Sequence, residues 1–517
     1  MTTPLRHPND SAVASDRARI GSGLADLPAR VDVLVIGLGV TGAGVALDAA
    51  SRGLSVVAVD AHDLAFGTSR WSSKLVHGGL RYLANGQIGV AHESAVERQI
   101  LMEVTAPHLV HRIPVLIPLH SSYARSGAAL ARLGLTAGNW LRIASRTRRS
   151  TLPPPRKLSA EGALAYAPGL RRDGLRGGLL SWDGKVEDDA RLVTTIARTA
   201  TAYGALVRTR VKVLEATGTT ATLRDQRSGE TRTITARAVI NATGVWAGEI
   251  VPEVRLRPSQ GSHLVIRGDA VPGTLANVTV PVPGSTSRFV FLLPQPDGTI
   301  YVGLTDEPLD GPIPDVPTPR ESEIDFLLDT INPALARPLT RDDIVGTYAG
   351  LRPLLDAGDD STADISRKHA VLRSGTGVIT IVGGKLTTYR RMAQDAVDAT
   401  GLADGRCVTA RLPLLGAAPD DELSKVEAPD RLVRRFGTEA PLVLANARTV
   451  TGLSDDELLT PIAAHLPATL AELVWAVTHE GAVDVDDLLD RRTRIGLVPA
   501  DRALALPAAE RAFALVR

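Results

Sequence analysis

The stretch VDVLVIGLGVTGAGVALDAASRGLSVVAVD, residues 31–60, constrains the fold most strongly. An apolar run typical of a buried parallel strand leads into a glycine-rich turn, a helical segment and a second apolar run. In this GxGxxG arrangement, Gly37 permits the tight turn, Gly39 lets a pyrophosphate approach the backbone, and Gly42 lets the helix pack on the strand. Asp60 ends the second strand, where its carboxylate can accept hydrogen bonds from a ribose. The unit predicts a site for an ADP-containing dinucleotide at a helix N-terminus.

Two later segments favour a flavin over a nicotinamide. Residues 236–248 (ARAVINATGVWAG) and 376–392 (TGVITIVGGKLTTYRRM) each lead from a strand into a turn of small residues. A nucleotide contacted by three separated strand ends must be large, and FAD fits that requirement better than NAD. The predicted cofactor is therefore FAD. The cofactor contacts predicted outside the first unit are Ser73, Lys74, Gly78, Ala242, Gly244, Gly384, Leu386 and Thr387.

The order of the segments predicts an α/β protein with three parts. The first is a discontinuous FAD-binding Rossmann-like domain. Alternating apolar strands with a PDGT turn in 255–305 indicate an antiparallel sheet that covers the flavin and contacts the substrate. The chain beyond about residue 410 is typical of helices. The predicted boundaries are 1–30 for a loose polar extension, 31–110, 186–254 and 340–405 for the FAD-binding domain, 111–185 and 255–339 for the substrate-binding (cap) domain, and 406–517 for a C-terminal helical domain.

Composition excludes several classes of protein. The chain of 517 residues is 44% hydrophobic and 22% charged, as expected of a globular protein. Its 58 basic and 57 acidic residues nearly cancel, so we predict no nucleic-acid partner, and no motif predicts a metal site. A single cysteine, Cys407, excludes an internal disulfide and fits a reducing compartment. The longest apolar run, 33–47, is too short and glycine-rich for a transmembrane helix, and we expect no secretory signal.

Ten segments resemble, in order, those of one known family. They are GLGVTGAGVALDAASRGLSVVAVD, TSRWSSKLVHGGLRYL, WDGKVEDDARLV, NATGVWA, QGSHLVI, VGLTD, RDDIVGTYAGLRPLL, ISRKHAV, VGGKLTTYRRMA and VDVDDLLDRRTRIGL. The chain resembles the bacterial FAD-dependent (aerobic-type) glycerol-3-phosphate dehydrogenases, although FGTSRW at 66–71 is bulkier and more basic than the family's version. The resemblance implies that the Rossmann-like domain is of the glutathione-reductase/D-amino-acid-oxidase type. It also implies oxidation of sn-glycerol 3-phosphate to dihydroxyacetone phosphate, with electrons passing to FAD and then to a membrane quinone.

Oxidation of a secondary alcohol needs a base within hydrogen-bond reach of the hydroxyl while a hydride leaves the same carbon. Histidine suits this role because its unperturbed pKa is close to neutral pH. Of the 11 histidines, His77 in HGG and His263 in GSH lie in glycine-flanked motifs. The resemblance places the GSH strand beside the substrate, so His263 is the first choice for the base. His77 is the second choice, with a flavin-side hydrogen bond as its other role, and for both a buried histidine bonded to backbone is the alternative.

A phosphate substrate also requires cationic side chains. Arginine can grip phosphate with two bonds, and Arg81, Arg352 and Arg367 lie in the matched motifs HGGLRY, AGLRP and ISRKH. Lysine is rare, and three of the seven lysines also fall in matched motifs: Lys74, Lys185 and Lys385. We expect Lys385 to hold the pyrimidine end of the flavin or to touch the phosphate, and we count it and Arg352 with the catalytic residues. Tyr82 and Thr305 are predicted to donate hydrogen bonds to the substrate.

The segment KLVHGGLRY, 74–82, follows the first βαβ unit and can therefore run beside the flavin. Its double glycine would let the backbone approach the isoalloxazine. We expect Lys74 and His77 to face the flavin, and Arg81 and Tyr82 to reach the phosphate end of the substrate. The segment is thus predicted to bridge cofactor and substrate.

Residues 104–160 contain nine arginines or lysines and no acidic residue. On a helix, one face would carry Leu130, Leu133, Ala137, Trp140 and Leu141, and the end would carry Arg142, Arg146, Arg148 and Arg149. A basic amphipathic helix with an interfacial tryptophan can lie on an anionic membrane. The alternative is a solvated basic face that steers an anionic substrate. We expect a cytoplasmic protein attached peripherally to the cytoplasmic face of the inner (plasma) membrane, near a quinone acceptor. The sequence does not fix the oligomeric state, and a homodimer is one possibility.

Three other functions fit parts of the sequence. An oxidase that reduces oxygen would share the substrate motifs. A flavin oxidase of the amino- or hydroxy-acid type would need one arginine for a carboxylate, whereas several cationic motifs here favour phosphate. A flavin-binding membrane scaffold without catalysis would not need intact His263, Arg352 and Lys385 motifs.

Overall fold

The structure, a computed structural model, describes residues 18–79, 87–121, 138–285, 288–356 and 369–516. These residues form one mainly parallel sheet flanked by helices, one mainly antiparallel sheet, and a C-terminal region of helices. The predicted fold class is therefore confirmed.

The first sheet is built around the strand Arg30–Ile36, whose apolar run VLVI is buried on both faces as parallel strands require. Its parallel partners are Val56–Val59 and Thr231–Asn241. Beyond Val56–Val59 the order stays parallel, whereas Thr231–Asn241 pairs in parallel with Ile379–Val382 and antiparallel with Thr220–Asp225. Within the described residues the sheet has nine strands: Gly21–Ser22, Leu206–Thr209, Val56–Val59, Arg30–Ile36, Thr231–Asn241, Thr220–Asp225, Val211–Ala216, Ile379–Val382 and Ala370–Arg373.

Three helices cover one face of this sheet. The central one, Val40–Ser51, follows the glycine-rich turn and packs between Asp189–Ala202 and Tyr389–Asp398. Close packing depends on small residues, because a Cβ added at Gly44 would lie 2.9 Å from the Tyr389 ring. The helix Ile88–Ile100 and the short helix Ala247–Ile250 complete this part of the fold.

The second sheet has ten strands within the described residues, and all its pairs except one are antiparallel. The PDGT turn joins the hairpin of Phe289–Pro294 and Thr299–Gly303, as its sequence predicts. The helices Ala160–Tyr166 and Glu321–Ile331 pack on the apolar face. The strands are Leu75–Val76, Val110–His120, Arg156–Leu158, Leu175–Val186, Ser259–Arg267, Asn277–Pro281, Phe289–Pro294, Thr299–Gly303, Glu307–Pro308 and Ile344–Arg352. The last of these lies in a segment, 340–405, that the sequence assigned to the FAD-binding domain.

Residues 18–29, expected to belong to a loose extension, are packed against the protein. Gly21 and Ser22 add a parallel strand to the first sheet beside Leu206–Thr209. Ile20 is buried, and its N–H donates to the carbonyl oxygen of His479 at 3.1 Å. Residues 18–29 are packed because they have an apolar side chain to bury and a sheet edge to pair with.

The C-terminal region is helical with one small hairpin, Pro461–Ala463 with Leu466–Thr469. Its helices are Asp420–Leu423, Asp430–Phe436, Ala440–Thr451, Asp455–Leu459, Leu470–His479 and Pro499–Val516. Buried ion pairs join it to the first sheet's helices, including Arg191 with Glu480 and Arg198 with Glu439. In the described part of the chain, no helix combines the length and apolarity needed to cross a membrane.

Candidate active site

A cavity of about 750 Å³ lies where the carboxyl ends of the parallel strands meet the second sheet. Gly37, Ala242 and Gly383 follow three strands of the first sheet, and His263 and Arg352 come from the second. Open α/β sheets bind ligands at the carboxyl ends of their strands, and a volume of this size suits a large cofactor with a small substrate.

The end of the cavity near the first βαβ unit is a cradle for a dinucleotide. Gly37 has φ +96°, a value that residues with a side chain rarely adopt. A Cβ at Gly42 would lie 1.8 Å from the Gly37 carbonyl oxygen. Asp60 accepts N–H bonds from Leu38 at 2.7 Å and His62 at 2.8 Å, which fixes its carboxylate at the cavity edge. Burial raises the pKa of Asp60. The residues present therefore fit the phosphates and ribose of FAD.

Most of the predicted cofactor contacts line this cavity: Gly37, Gly39, Asp60, Ser73, Ala242, Gly244, Gly384, Leu386 and Thr387. Three do not. Gly42 lies behind the turn, where it lets the helix pack. Gly78 packs against the Arg98 guanidinium and donates its N–H to Asp183 at 3.3 Å. Lys74 points away from the cavity into the protein, where its ammonium meets Asp189 at 2.8 Å.

His263 lines the cavity from the strand Ser259–Arg267. Its Nε2 is 3.0 Å from the Ser73 hydroxyl, and its ring stacks on Tyr348 at 4.4 Å with an interplanar angle of 7°. Burial, together with the positive charges of Lys74 and Arg352, holds the pKa of His263 well below its ordinary value. The imidazole is therefore neutral at neutral pH, the form that a general base requires.

The other predicted catalytic residues, His77, Arg352 and Lys385, line the same cavity. The Arg352 guanidinium donates to Asp306 at 3.1 Å and to the carbonyl oxygen of Thr305 at 3.2 Å, which orients it along the cavity wall. The Lys385 ammonium donates to the Ser94 hydroxyl. The structure thus brings two histidines and two cationic side chains to one site.

The predicted substrate contacts are placed differently. Thr305 is buried and outside the cavity lining; its hydroxyl donates to Glu323 at 2.5 Å and accepts the Ser262 N–H at 2.9 Å. Arg81, Tyr82 and Arg367 lie outside the described residues.

Sequence reasoning missed several residues around His263. The Tyr348 ring stacks with the Trp71 ring and with the His263 imidazole. Two buried acids accept hydrogen bonds from the hydroxyls of residues next in sequence to Ser73 and His263: Asp189 accepts from Ser72, and Glu323 accepts from Ser262. Asp189 stands within the quoted motif WDGKVEDDARLV, which was the available signal. Glu323 lies outside every quoted motif, and no pattern points to it.

Comparison with known proteins defines the class. Residues 32–390 match the family described as FAD dependent oxidoreductase, and residues 407–516 match the C-terminal domain of alpha-glycerophosphate oxidase. Together with the two sheets and the dinucleotide cradle, these matches show that the protein is an FAD-dependent oxidoreductase.

Individual relatives narrow the class. Glycerol-3-phosphate dehydrogenase 1 of Mycobacterium tuberculosis is 52% identical over 96% of this chain and 97% of its own. A mitochondrial glycerol-3-phosphate dehydrogenase of Arabidopsis thaliana is 32% identical over 94% of this chain and 85% of its own. The FAD complex of the glycerol-3-phosphate dehydrogenase from Bacillus halodurans aligns with a TM-score of 0.70 and 29% identity, covering 94% of this chain and 91% of its own. The chain belongs to the family of FAD-dependent glycerol-3-phosphate dehydrogenases.

Proposed function

We propose that the protein oxidises sn-glycerol 3-phosphate to dihydroxyacetone phosphate. One observation carries the proposal. The dinucleotide cradle, the neutral buried His263 and the cations of Arg352 and Lys385 all line one cavity. The substrate is supported by the names of the relatives at 52% and 38% identity, which are glycerol-3-phosphate dehydrogenases.

In the proposed reaction the O–H and C–H bonds at C2 break and a carbonyl forms. His263 accepts the hydroxyl proton at Nε2, the nitrogen beside Ser73. Bound FAD supplies the acceptor for the hydride that leaves C2. The low pKa of His263 keeps Nε2 free to accept a proton, in the tautomer that carries its hydrogen on Nδ1. His77 lines the same cavity and is the alternative base.

Arg352 and Lys385 are proposed to bind the phosphate. Arg352 is held by Asp306, so its planar fork is oriented before substrate arrives, which lowers the entropy cost of gripping an anion. Lys385 follows Gly383 and Gly384 at the end of a parallel strand and adds a compact charge. Two cations favour a phosphate dianion over the single carboxylate of an amino acid.

Anaerobic mixing with glycerol 3-phosphate tests the proposal through bleaching of the flavin. The His263→Ala variant should reduce FAD more slowly by about 10²- to 10⁴-fold, the usual cost of a lost general base. The matched variant His77→Ala should be much less affected. If His263→Ala reduces its flavin at a rate near that of the wild type, His263 is not the base.

The phosphate role has its own test. Arg352→Ala should weaken substrate binding by roughly 10- to 100-fold, because a charge-assisted bond contributes about 1.5–3 kcal/mol. Arg288→Ala, on the same sheet but paired with the half-exposed Glu307, serves as the control. Equal affinities in the two variants would exclude Arg352 from phosphate binding.

We also propose peripheral attachment to an anionic membrane at its cytoplasmic face, where a quinone accepts the electrons. Residues 138–144 form a helix that packs against Ile88–Ile100 through Leu141. Three large apolar side chains on these two helices are exposed: Ile88 at 67%, Trp140 at 68% and Ile143 at 51%. Arg146, Arg148 and Arg149 are exposed beside them, whereas Arg142 is buried against Asn139 and Thr147. Leu130, Leu133 and Ala137 lie outside the described residues.

Vesicle flotation tests the attachment. Trp140→Ala with Ile143→Ser, or reversal of charge at Arg146, Arg148 and Arg149, should release the protein from vesicles that contain anionic lipid. Activity with a soluble dye acceptor should persist. Leu504→Ser removes an apolar group that is 55% exposed on the C-terminal helix and should leave binding unchanged. If the variants at Trp140 and Ile143 or at the three arginines still bind vesicles fully, this surface is not the membrane contact.

Oxygen is the alternative acceptor, because the family of the C-terminal region is named after an oxidase. The reduced enzyme can be mixed with air-saturated buffer or with a soluble quinone. We expect the quinone to reoxidise the flavin much faster than oxygen does. Fast reoxidation by oxygen with release of peroxide would assign the protein to the oxidases.

A further inference from the structure

The turn that carries Ser73 has a backbone conformation that needs external support. Lys74 has φ +57°, a left-handed value that disfavours residues with side chains. The Lys74 ammonium folds back onto the carbonyl oxygens of Arg70 and Ser72, both at 3.0 Å. It is buried, and a buried charge requires a partner of opposite sign. The turn, residues 70–74, contains no acid.

Asp189 supplies that charge from the start of the helix Asp189–Ala202. A single oxygen, Oδ2, accepts the Ser72 N–H at 3.0 Å, the Ser72 hydroxyl at 2.7 Å and the Lys74 ammonium at 2.8 Å. Asp189 therefore holds the residues on both sides of Ser73, whose hydroxyl is 3.0 Å from His263 Nε2.

The same turn also bonds to the tyrosine that stacks on His263. The Tyr348 hydroxyl donates to the Ser72 carbonyl oxygen at 3.2 Å, and the Tyr348 ring stacks on His263. A shift of the turn would consequently move two groups that contact the imidazole: the serine hydroxyl and the tyrosine ring.

Arg494, in the C-terminal region, holds Asp189 in place. Its Nη1 donates to Asp189 Oδ1 at 2.6 Å and also to the Arg70 carbonyl oxygen, so it spans the acid and the start of the turn. Arg494 itself has φ +65° and is buried. Its side chain lies close to Trp71, with the guanidinium carbon 5.9 Å from the ring centroid.

We propose that Arg494 is a positioning residue for His263, acting through Asp189 and the turn 70–74. This rests on the proposed function, in which His263 takes the substrate proton. The C-terminal region thereby contributes to the rate of flavin reduction without lining the cavity.

The test uses the full-length protein saturated with FAD, mixed anaerobically with glycerol 3-phosphate in a stopped-flow instrument. Arg494→Gln should lower the limiting rate of flavin reduction by about 10- to 100-fold, as expected for a displaced catalytic group. The dissociation constant of the substrate should change by less than about 3-fold, because Arg352 and Lys385, the proposed phosphate contacts, lie outside the turn. Arg494→Lys, whose ammonium can contact both acceptors, should recover most of the rate.

Arg198→Ala is the matched control. Arg198 is likewise buried, pairs with an acid across the same boundary, Glu439, and donates to a backbone carbonyl, that of Ala18. It does not contact the turn. We expect it to lower the melting temperature while the limiting rate stays within about 3-fold of the wild type. Equal rate losses in Arg198→Ala and Arg494→Gln would mean that Arg494 only stabilises the fold.

A double-mutant cycle with Ser73→Ala completes the test. If Arg494 acts through the turn, Arg494→Gln should lower the rate by a smaller factor in the Ser73→Ala background than in the wild type, because one of the two contacts that the turn positions is already gone. Full additivity would overturn the proposal. If Arg494→Gln does not retain FAD, Ser72→Ala decides, since it removes one bond to Asp189 and no charge; an unchanged limiting rate then overturns the proposal. A wild type that is not reduced by glycerol 3-phosphate would instead reject the proposed function.

Discussion

Asp63 offers a sharp test of how the C-terminal region is attached. It is fully buried in the FAD-binding part and accepts three N–H bonds from the C-terminal region, from Arg491 Nε at 2.6 Å and from both Arg492 Nη atoms at 2.8 Å. Burial opposes its ionisation, but Arg492 and Arg491 hold the pKa of Asp63 below its ordinary value. Asp63→Asn keeps the shape of the side chain and removes the charge.

Removal of one partner from a buried ion pair costs about 3–5 kcal/mol, because the other charge stays buried. Asp487 should reduce this cost. It also pairs with Arg491, and burial and the charge of Asp63 raise the pKa of Asp487 to about 6. Without Asp63, the repulsion between the two carboxylates is removed, so Asp487 interacts more favourably with Arg491 and offsets part of the loss. We therefore expect a loss of about 3 kcal/mol in the free energy of unfolding, the low end of that range.

Thermal unfolding in excess FAD, followed by circular dichroism and flavin fluorescence, measures this loss. With an unfolding entropy of about 2.1 cal/mol/K per residue, 3 kcal/mol lowers Tm by about 3 °C if the 517 residues unfold together. The decrease is roughly 13 °C if residues 407–516 unfold alone. The size of the shift therefore also reports whether the C-terminal region unfolds independently.

Asp455→Asn is the control, because its pair with Arg448 is about half exposed on the surface of the same region. It should leave Tm nearly unchanged, and equal shifts in the two variants would refute the reasoning.

The contribution of Asp63 to stability depends on pH with a defined sign. The folded pKa of Asp63 lies below its unfolded value of about 3.9, so its stabilisation is complete above about pH 5 and decreases as the pH falls further.

Two further substitutions test the cavity and its surroundings. Gly42→Ala should abolish FAD binding, measured as flavin content, since its Cβ would lie 1.8 Å from the Gly37 carbonyl oxygen; Gly89→Ala, also in a helix but with nothing within 4 Å, should retain FAD. Thr305→Val should lower stability by about 1–3 kcal/mol in urea unfolding, because Glu323 loses a buried donor. Its substrate dissociation constant should stay within about 3-fold of the wild type, and a much larger change would restore Thr305 as a substrate contact.

Local patterns account for the position of the predicted cofactor residues at one end of the cavity. The strand, glycine turn, helix and terminal Asp60 form one continuous unit, so backbone geometry alone places them at a sheet edge. Glycines are informative there because the turn requires φ +96° at Gly37 and leaves no room for a Cβ at Gly42. The same reasoning selected Gly384 and the residues that follow it, which line the cavity.

Local sequence patterns do not predict the direction in which a side chain points. Lys74 lies in a matched motif next to the cavity, yet its left-handed backbone turns the ammonium toward Asp189, 115 residues away in sequence. Arg494 is one of 51 arginines, and its contact with Asp189 spans 305 residues. Charge patterns along a chain do not encode which buried acid a given arginine meets, because that pairing depends on how separate domains pack.

The bulky, basic segment FGTSRW shows why such pairings matter at this cavity. Arg70 lies over the rings of Phe66 and Trp71, at 5.2 and 4.1 Å, and burial with the nearby Arg491 lowers its pKa to about 9. Arg491 itself lies 5.9 Å from the Phe66 ring. Small residues would leave these guanidiniums without aromatic surface to cover them. The segment thus combines two tasks, since it lines the cavity on one side and receives the arginines of the C-terminal region on the other.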